Sequence, residues 1–276
     1  MAGRPSKEYH EYLTERANSS ALIDHADYFE SPATAFLKYT VEAKDAINMC
    51  IRNFPKNSGG LYSKASIDSL QHLIVAVLPT IMGHFETYQR YLFAGMFDYS
   101  VHLKGFDLES FISRIQRINN DAQIDTVRLA AYRGIGVSSI GILLADSLPS
   151  WQNPYKVNGY FEAFNFGKSL FADTYCSQIS VLLQLRHSIV HTGGTITRAD
   201  AQKVEALNLF GDKPITFDNN FIFEASRKMH KLVKTSTESM GTSYGARLIE
   251  TTPVEANIKI DKLFEVRSSI GAWLNQ

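Results

Sequence analysis

The chain has 276 residues, 45% hydrophobic and 12% aromatic, which is ample for a real core in one large domain or one domain with extensions. Its 28 basic and 28 acidic residues give a formal net charge of +0, which argues against a strongly basic protein that coats nucleic acid but leaves room for a local basic groove. The two cysteines, Cys50 and Cys176, form no CxxC pair and read as reduced thiols in a cytoplasmic protein.

Residues 1–20 are charged and lack the apolar centre of a signal peptide. Residues 5–18 suggest a short polar helix or a loose arm. Ser31-Pro32 is a good helix start, because proline suits the first turn. Phe36, Tyr39, Ala43, Ile47 and Cys50 then make an apolar stripe that predicts a helix to about Phe54. Residues 55–60 hold Pro, Asn, Ser and two Gly, and break the pattern. The expected organisation is an N-terminal helical arm over 1–57, a main helical domain over 58–241 and an amphipathic extension over 242–276.

A long helix is expected from Ser66 to about Tyr99, with Leu70, Leu73, Ile74, Val77, Ile81, Phe85, Tyr88, Leu92 and Met96 in helical period. Pro79 should kink it, since proline removes one backbone hydrogen bond and clashes with the preceding turn. The longest uncharged run, 69–85, contains Gln71, His72, Pro79 and His84 and falls short of the ~20 apolar residues of a membrane span. No membrane association is expected. Glu86 sits among aromatics and reads most simply as a solvent-facing or Arg-paired carboxylate.

Asp107 reads as the N-cap of a helix through Asn119 that carries Arg114 and Arg117 on one side. A further helix is expected over 122–133. Residues 134–139 imitate a phosphate loop only in their first two glycines, with no third Gly and no following Lys. Residues 151–159 read as a loop, and Phe161, Phe164, Phe171 and Tyr175 lead into the next helix.

That next helix holds the residues of most chemical interest. Ile179, Leu182, Leu183, Leu185, Ile189 and Val190 fit a helix packed in a core, and Gly193-Gly194 end it. Between core and cap lie Arg186, His187 and His191. At 3.6 residues per turn the two histidines are about 40° apart on one face, and the long Arg186 stem reaches toward that face. A helix C-terminus favours a cation, and an imidazole that titrates near neutrality both takes and gives protons. A histidine near a helix end is also a common partner for carbonyls or a solvated tip, so the residues by themselves leave a structural role open.

The run Arg186-His187-Ser188-Ile189-Val190-His191, with Thr192-Gly193-Gly194 after it, resembles the R-x4-H motif of HEPN domains. The likeness covers about residues 61–241 and is specific only around 185–194. It implies a mainly α-helical HEPN-like bundle with a small extended or hairpin insertion after the motif helix. It also implies a metal-independent endoribonuclease that cleaves RNA through its 2′-OH, with no cofactor. Arg186 would hold the phosphate, His191 would abstract or supply the proton, and His187 would orient or assist. The family often has an acidic residue in the long helix ahead of the motif, a place that Glu86 occupies. The same likeness implies a homodimer with two motifs across a cleft, and a role as a toxin or anti-phage defence effector held in check by an inhibitory partner protein. The alternative is a non-catalytic HEPN module that binds RNA or nucleotide, or mediates assembly.

After the motif the pattern predicts a short helix over 198–209, a turn, and an extended pair over 215–223 around Asp218-Asn219-Asn220. A helix then runs from Glu224 to about Met240, with Arg227, Lys231 and Lys234 as a basic stripe, either a solvated face or an RNA phosphate track. Leu263, Phe264, Val266, Ile270, Trp273 and Leu274 predict an amphipathic tail helix. His187 and His191 have the spacing of a metal pair, but no neighbouring carboxylate or Cys completes a site, so no metal is expected. No GxSxG elbow is present.

Overall fold

The computed structural model describes residues 25–119, 139–218 and 220–267 and is mainly α-helical. The expected arm over 5–18, the helix over 122–133, nearly all of the glycine-containing stretch at 134–139 and the last residues of the tail lie outside the described residues.

Helix α1 (His25–Glu30) is followed at once by α2 (Pro32–Asn53), with Pro32 in its first turn as the sequence predicts. Pro55 follows the end of α2, and a short turn leads to α3 (Lys64–Asp98). The Ser63 hydroxyl caps α3 by accepting the Ser66 N–H at 3.1 Å. Helix α3 is the axle of the fold. Its buried residues, among them Leu70, Ile74, Leu78, Met82, Phe85, Tyr88, Leu92 and Phe93, make it the element that most others pack against. Phe36 of α2 meets Phe85 and Tyr88 at ring separations of 5.5 and 6.0 Å, so the helices on either side of the 55–60 break share one core. Helix α3 runs as one element through Pro79. At 35 residues it is the one helix among the described residues long and apolar enough to cross a membrane by length and composition, where the uncharged run alone looks too short. A third of the 18-residue stretch that meets this criterion is buried inside the fold.

A single 3₁₀ turn, Ser100–His102, leads to α4 (Leu108–Ile118), whose N-terminus is capped by the Asp107 carboxylate as expected. Helix α5 (Ile140–Ser147) lies so close to α3 that a Cβ on Gly141 would come within 2.7 Å of the Ala94 carbonyl carbon. The Asp98 carboxylate, at the end of α3, fixes this contact by accepting from the Gly141 N–H at 2.7 Å and from the Ser139 hydroxyl.

Two expectations are corrected here, and a third is tested only in part. The loop expected over 151–159 is largely helix α6 (Pro154–Glu162). Asn153 caps it, accepting from the N–H groups of Tyr155 and Lys156, and Pro154 fills the first turn, so residues that read as a turn are a helix start. The extended pair expected over 215–223 does not form, because α9 (Phe221–Gly245) already begins at Phe221. The backbone of Phe217 instead bonds the side chain of Gln71 on α3, donating to its Oε1 at 3.0 Å and accepting from its Nε2. Of the tail helix expected from Leu263 onward, the described part is not helical beyond Leu263, which is the last, buried residue of α10 (Val254–Leu263); residues 268–276 lie outside the described residues. Leu263 packs at Gly95 of α3 and Phe264 at Gly241 of α9.

Between α6 and α9 runs α7 (Asp173–His191), the motif helix. It ends as the Gly pair predicts, with Gly193 and Gly194 at φ of 63° and 81°, and the Gly194 N–H returning to the Ser188 carbonyl at 3.1 Å. The hairpin-like piece that follows is β1 (Thr195–Ile196) paired antiparallel with β2 (Lys213–Pro214), Thr195 opposite Pro214. The single helix expected over 198–209 is one turn, α8 (Arg198–Ala201), and a 3₁₀ stretch, Glu205–Phe210.

Candidate functional site

Arg186 is held at the interface of α7 and α3 by its place in the core pattern. Leu185 before it and Ser188 after it are buried, so the Arg186 stem starts inside the packing and its guanidinium reaches outward. One guanidinium nitrogen, Nη2, lies 3.9 Å from Oε1 of Glu86 on α3. Glu86 was expected to face solvent or pair with an Arg; it is buried, with its side chain only 10% exposed, and its partner is Arg186. The other Glu86 oxygen accepts from the Gln152 amide at 3.3 Å. The pair is too long for a hydrogen bond, and both Glu86 Oε1 and Arg186 Nε are buried without a hydrogen-bond partner among the described residues. Arg186 is therefore anchored electrostatically by one carboxylate, with hydrogen-bonding capacity to spare.

His187 faces a second carboxylate. Its Nε2 is 3.9 Å from Oδ1 of Asp200, which lies on α8 just after β1. Asp200 is buried and also accepts from Lys203 Nζ at 2.8 Å. That lysine's hydrogen bond, with one from Thr197 and the Lys203 charge, outweighs desolvation and holds the Asp200 carboxyl below its usual range. The rings of His187 and His191 are 4.7 Å apart. His191 itself is exposed at the helix end, beside the Thr192 cap.

Arg186 and His187 line one cleft of about 330 Å³. Its other walls come from Gln152 to Tyr155 at the start of α6, from Ser180 and Gln184 on α7, and from Lys203. Tyr155 is exposed at its edge. Of the expected site residues, the fold brings together Arg186, His187, His191 and Glu86. It does not bring the basic stripe to the cleft. Arg227 is paired with Glu224 at 2.6 Å and Lys234 with Glu238 at 3.8 Å, both on the exposed face of α9. Sequence reasoning missed Asp200, Lys203, Gln152 and Tyr155. The Thr197-x-x-Asp200 spacing, in which the Thr197 hydroxyl accepts the Asp200 N–H at 3.1 Å, was the one local signal that Asp200 opens a turn of helix. Nothing in one dimension places it against His187.

Among the described residues, no group of three or more His, Cys, Asp or Glu is arranged to hold a metal ion. Comparison with family models, with curated proteins and with solved structures gives no match to this chain. The candidate site therefore stands on its own geometry.

Proposed function

We propose that the α6–α7 cleft is the active site of a metal-independent endoribonuclease of HEPN type. The observation that carries this reading is the pairing of Arg186 and His187 on one cleft wall, each set against its own carboxylate, Glu86 and Asp200. A guanidinium with unused donors is suited to a phosphodiester, and its fork stabilises charge that grows on the non-bridging oxygens. Two imidazoles 4.7 Å apart suit the two proton transfers of RNA transesterification. One takes the proton from the 2′-OH as its oxygen attacks the adjacent phosphorus. The other gives a proton to the departing 5′-oxygen. The products are a 2′,3′-cyclic phosphate and a 5′-OH end. His191 is exposed at the helix end and His187 faces Asp200, so the two imidazoles sit in different surroundings. The reading includes a homodimer in which a second copy brings its own Arg186 and His191 to the site.

The second reading is a module that binds RNA or nucleotide without cutting it. It is favoured by one observation: His191 is not part of the cleft wall within a single chain.

One experiment separates the two. Purified protein is incubated with generic RNA in excess EDTA, and the product ends are identified. His187→Ala and His191→Ala are each expected to fold and to cut about 10²–10⁴-fold more slowly, the usual worth of a positioned acid or base. RNA that binds but stays intact with the unsubstituted protein would leave the binding module. Full activity in folded His191→Ala would remove His191 from the mechanism.

A further inference from the structure

A second polar cavity lies away from the α6–α7 cleft, where the N-terminus of α4 meets the loops that follow α6 and α9. Its volume is about 170 Å³. Three cations from three separate segments line it: Lys104 before α4, Arg114 on α4 and Arg247 after α9. Among the described residues one carboxylate, Asp107, shares the wall; it caps α4, accepting from the Ser110 N–H at 3.0 Å, and its charge is also felt by Arg114. No carboxylate lies within ion-pair distance of Lys104, Arg114 or Arg247 among the described residues. Three cations against one carboxylate leave the cavity net positive, a cost that a bound anion would offset.

The cavity is also built. Arg114 is fixed by its Nε, which donates to the Ala163 carbonyl at 2.8 Å and leaves the outer guanidinium nitrogens for another acceptor. The Arg247 guanidinium lies 5.7 Å over the Phe166 ring. Lys104 and Arg247 are tied backbone to backbone, the Lys104 N–H donating to the Arg247 carbonyl at 2.7 Å. A bridge between Leu103 and Leu248 flanks that tie. The charges are thus brought together by the fold and are not three independent surface side chains.

We propose that this cavity binds a phosphate group. Two guanidinium forks and an ammonium match a dianion with several acceptor oxygens better than a single carboxylate. The volume is below the ~300 Å³ at which pockets for whole small molecules begin, so the cavity takes one phosphate headgroup and not an entire nucleotide. The group is either free phosphate or the terminal phosphate of an oligonucleotide. The inference does not depend on the ribonuclease reading, because none of these residues lines the α6–α7 cleft.

The test is titration calorimetry on the full chain. Inorganic phosphate is one probe; a short oligonucleotide with a 5′-phosphate and its 5′-OH counterpart are the others. The variants are Lys104→Ala/Arg247→Gln, at two exposed positions where folding should be preserved, and Arg52→Gln, an exposed cation in the last turn of α2 that lines neither cavity. Phosphate binding that weakens at least tenfold in the double variant and is unchanged in Arg52→Gln is the expected result. Discrimination between the two oligonucleotides, lost in the double variant, identifies the terminal phosphate as the source; equal binding of both leaves free phosphate. Phosphate affinity that is absent, or that survives the double variant, overturns the proposal.

Discussion

Glu86 on α3 and Arg186 on α7 face each other across the core at 3.9 Å, from positions a hundred residues apart in the chain. The Glu86 side chain is nearly sealed from water while the Arg186 side chain keeps a quarter of its surface exposed. Removing the cation leaves a buried negative charge with only the Gln152 amide to compensate it. Arg186→Ala should therefore destabilise the protein by about 1–3 kcal/mol, part of it lost packing of the stem. Adding Glu86→Gln to Arg186→Ala should recover a measurable share. Urea unfolding of both single variants and the double gives the coupling directly. A coupling of zero would mean that the two groups do not sense each other.

Asp200 joins His187 to Lys203, and its replacement probes orientation apart from chemistry. Asp200→Asn keeps the shape and removes the charge that faces the imidazole. Within the ribonuclease reading the expected effect is a drop in kcat of about tenfold to a hundredfold with KM little changed, in the range known for groups that orient a catalytic imidazole. A merely structural role would lower the folded fraction and leave the kcat of folded protein alone.

The same carboxylate predicts a pH signature. Its folded-state value is depressed below the ordinary 3.8, so it contributes stability that is fully present above that value. The contribution is lost as pH falls through the depressed folded value. The stability gap between the unsubstituted protein and Asp200→Asn should be constant near neutrality and close at the acid end. Chemical denaturation at a series of pH values reads it, and a gap that widens with acid would contradict the assignment.

Two glycines give opposite outcomes for the same exchange. A methyl at Gly141 runs into the Ala94 carbonyl, and backbone cannot yield as a side-chain tip does. Gly141→Ala should cost about 1–3 kcal/mol or more and loosen α5 from α3. Gly83, inside α3, has open space where its Cβ would be. Gly83→Ala should raise stability by about 0.5–1 kcal/mol, because alanine loses less backbone entropy in a helix. Thermal melts of the pair test the packing of α5 on α3.

The two thiols should separate in reactivity. Burial pushes the Cys176 thiol up to about 11, whereas Cys50 is half-buried on α2. A thiol reagent at pH 8 should label Cys50 in the native protein and reach Cys176 only on unfolding, since the thiolate is the reactive form. Labelling of Cys176 at the same rate as Cys50 would show that α7 opens readily.

Several elements were legible from the chain alone. The apolar periods of α2, α3 and α7, the Asp107 cap and the Gly193-Gly194 stop are local, so sequence spacing carries them. The nearness of Arg186, His187 and His191 is local too, because one helix turn sets it. What misled were residues with two local meanings. Asn153-Pro154 serves a turn and a helix start equally well, and the β-branched and aromatic run at 215–223 has strand composition but is drawn onto Gln71 and into α9.

Tertiary structure decided the rest. The sequence by itself determined a mainly helical chain with an Arg and two His at one helix end. Only packing chose their partners: Glu86 comes from α3 and Asp200 from beyond β1, and the cleft floor comes from the start of α6. The basic stripe divides the same way: the spacing of Arg227 from Glu224 and of Lys234 from Glu238 is local to one helix, while packing keeps the stripe out of the cleft lining. The physical reason is that a side chain's charge state, exposure and freedom to bind depend on what lies within a few ångströms. For a core-anchored residue such as Arg186, those neighbours are supplied by chain segments far away in sequence.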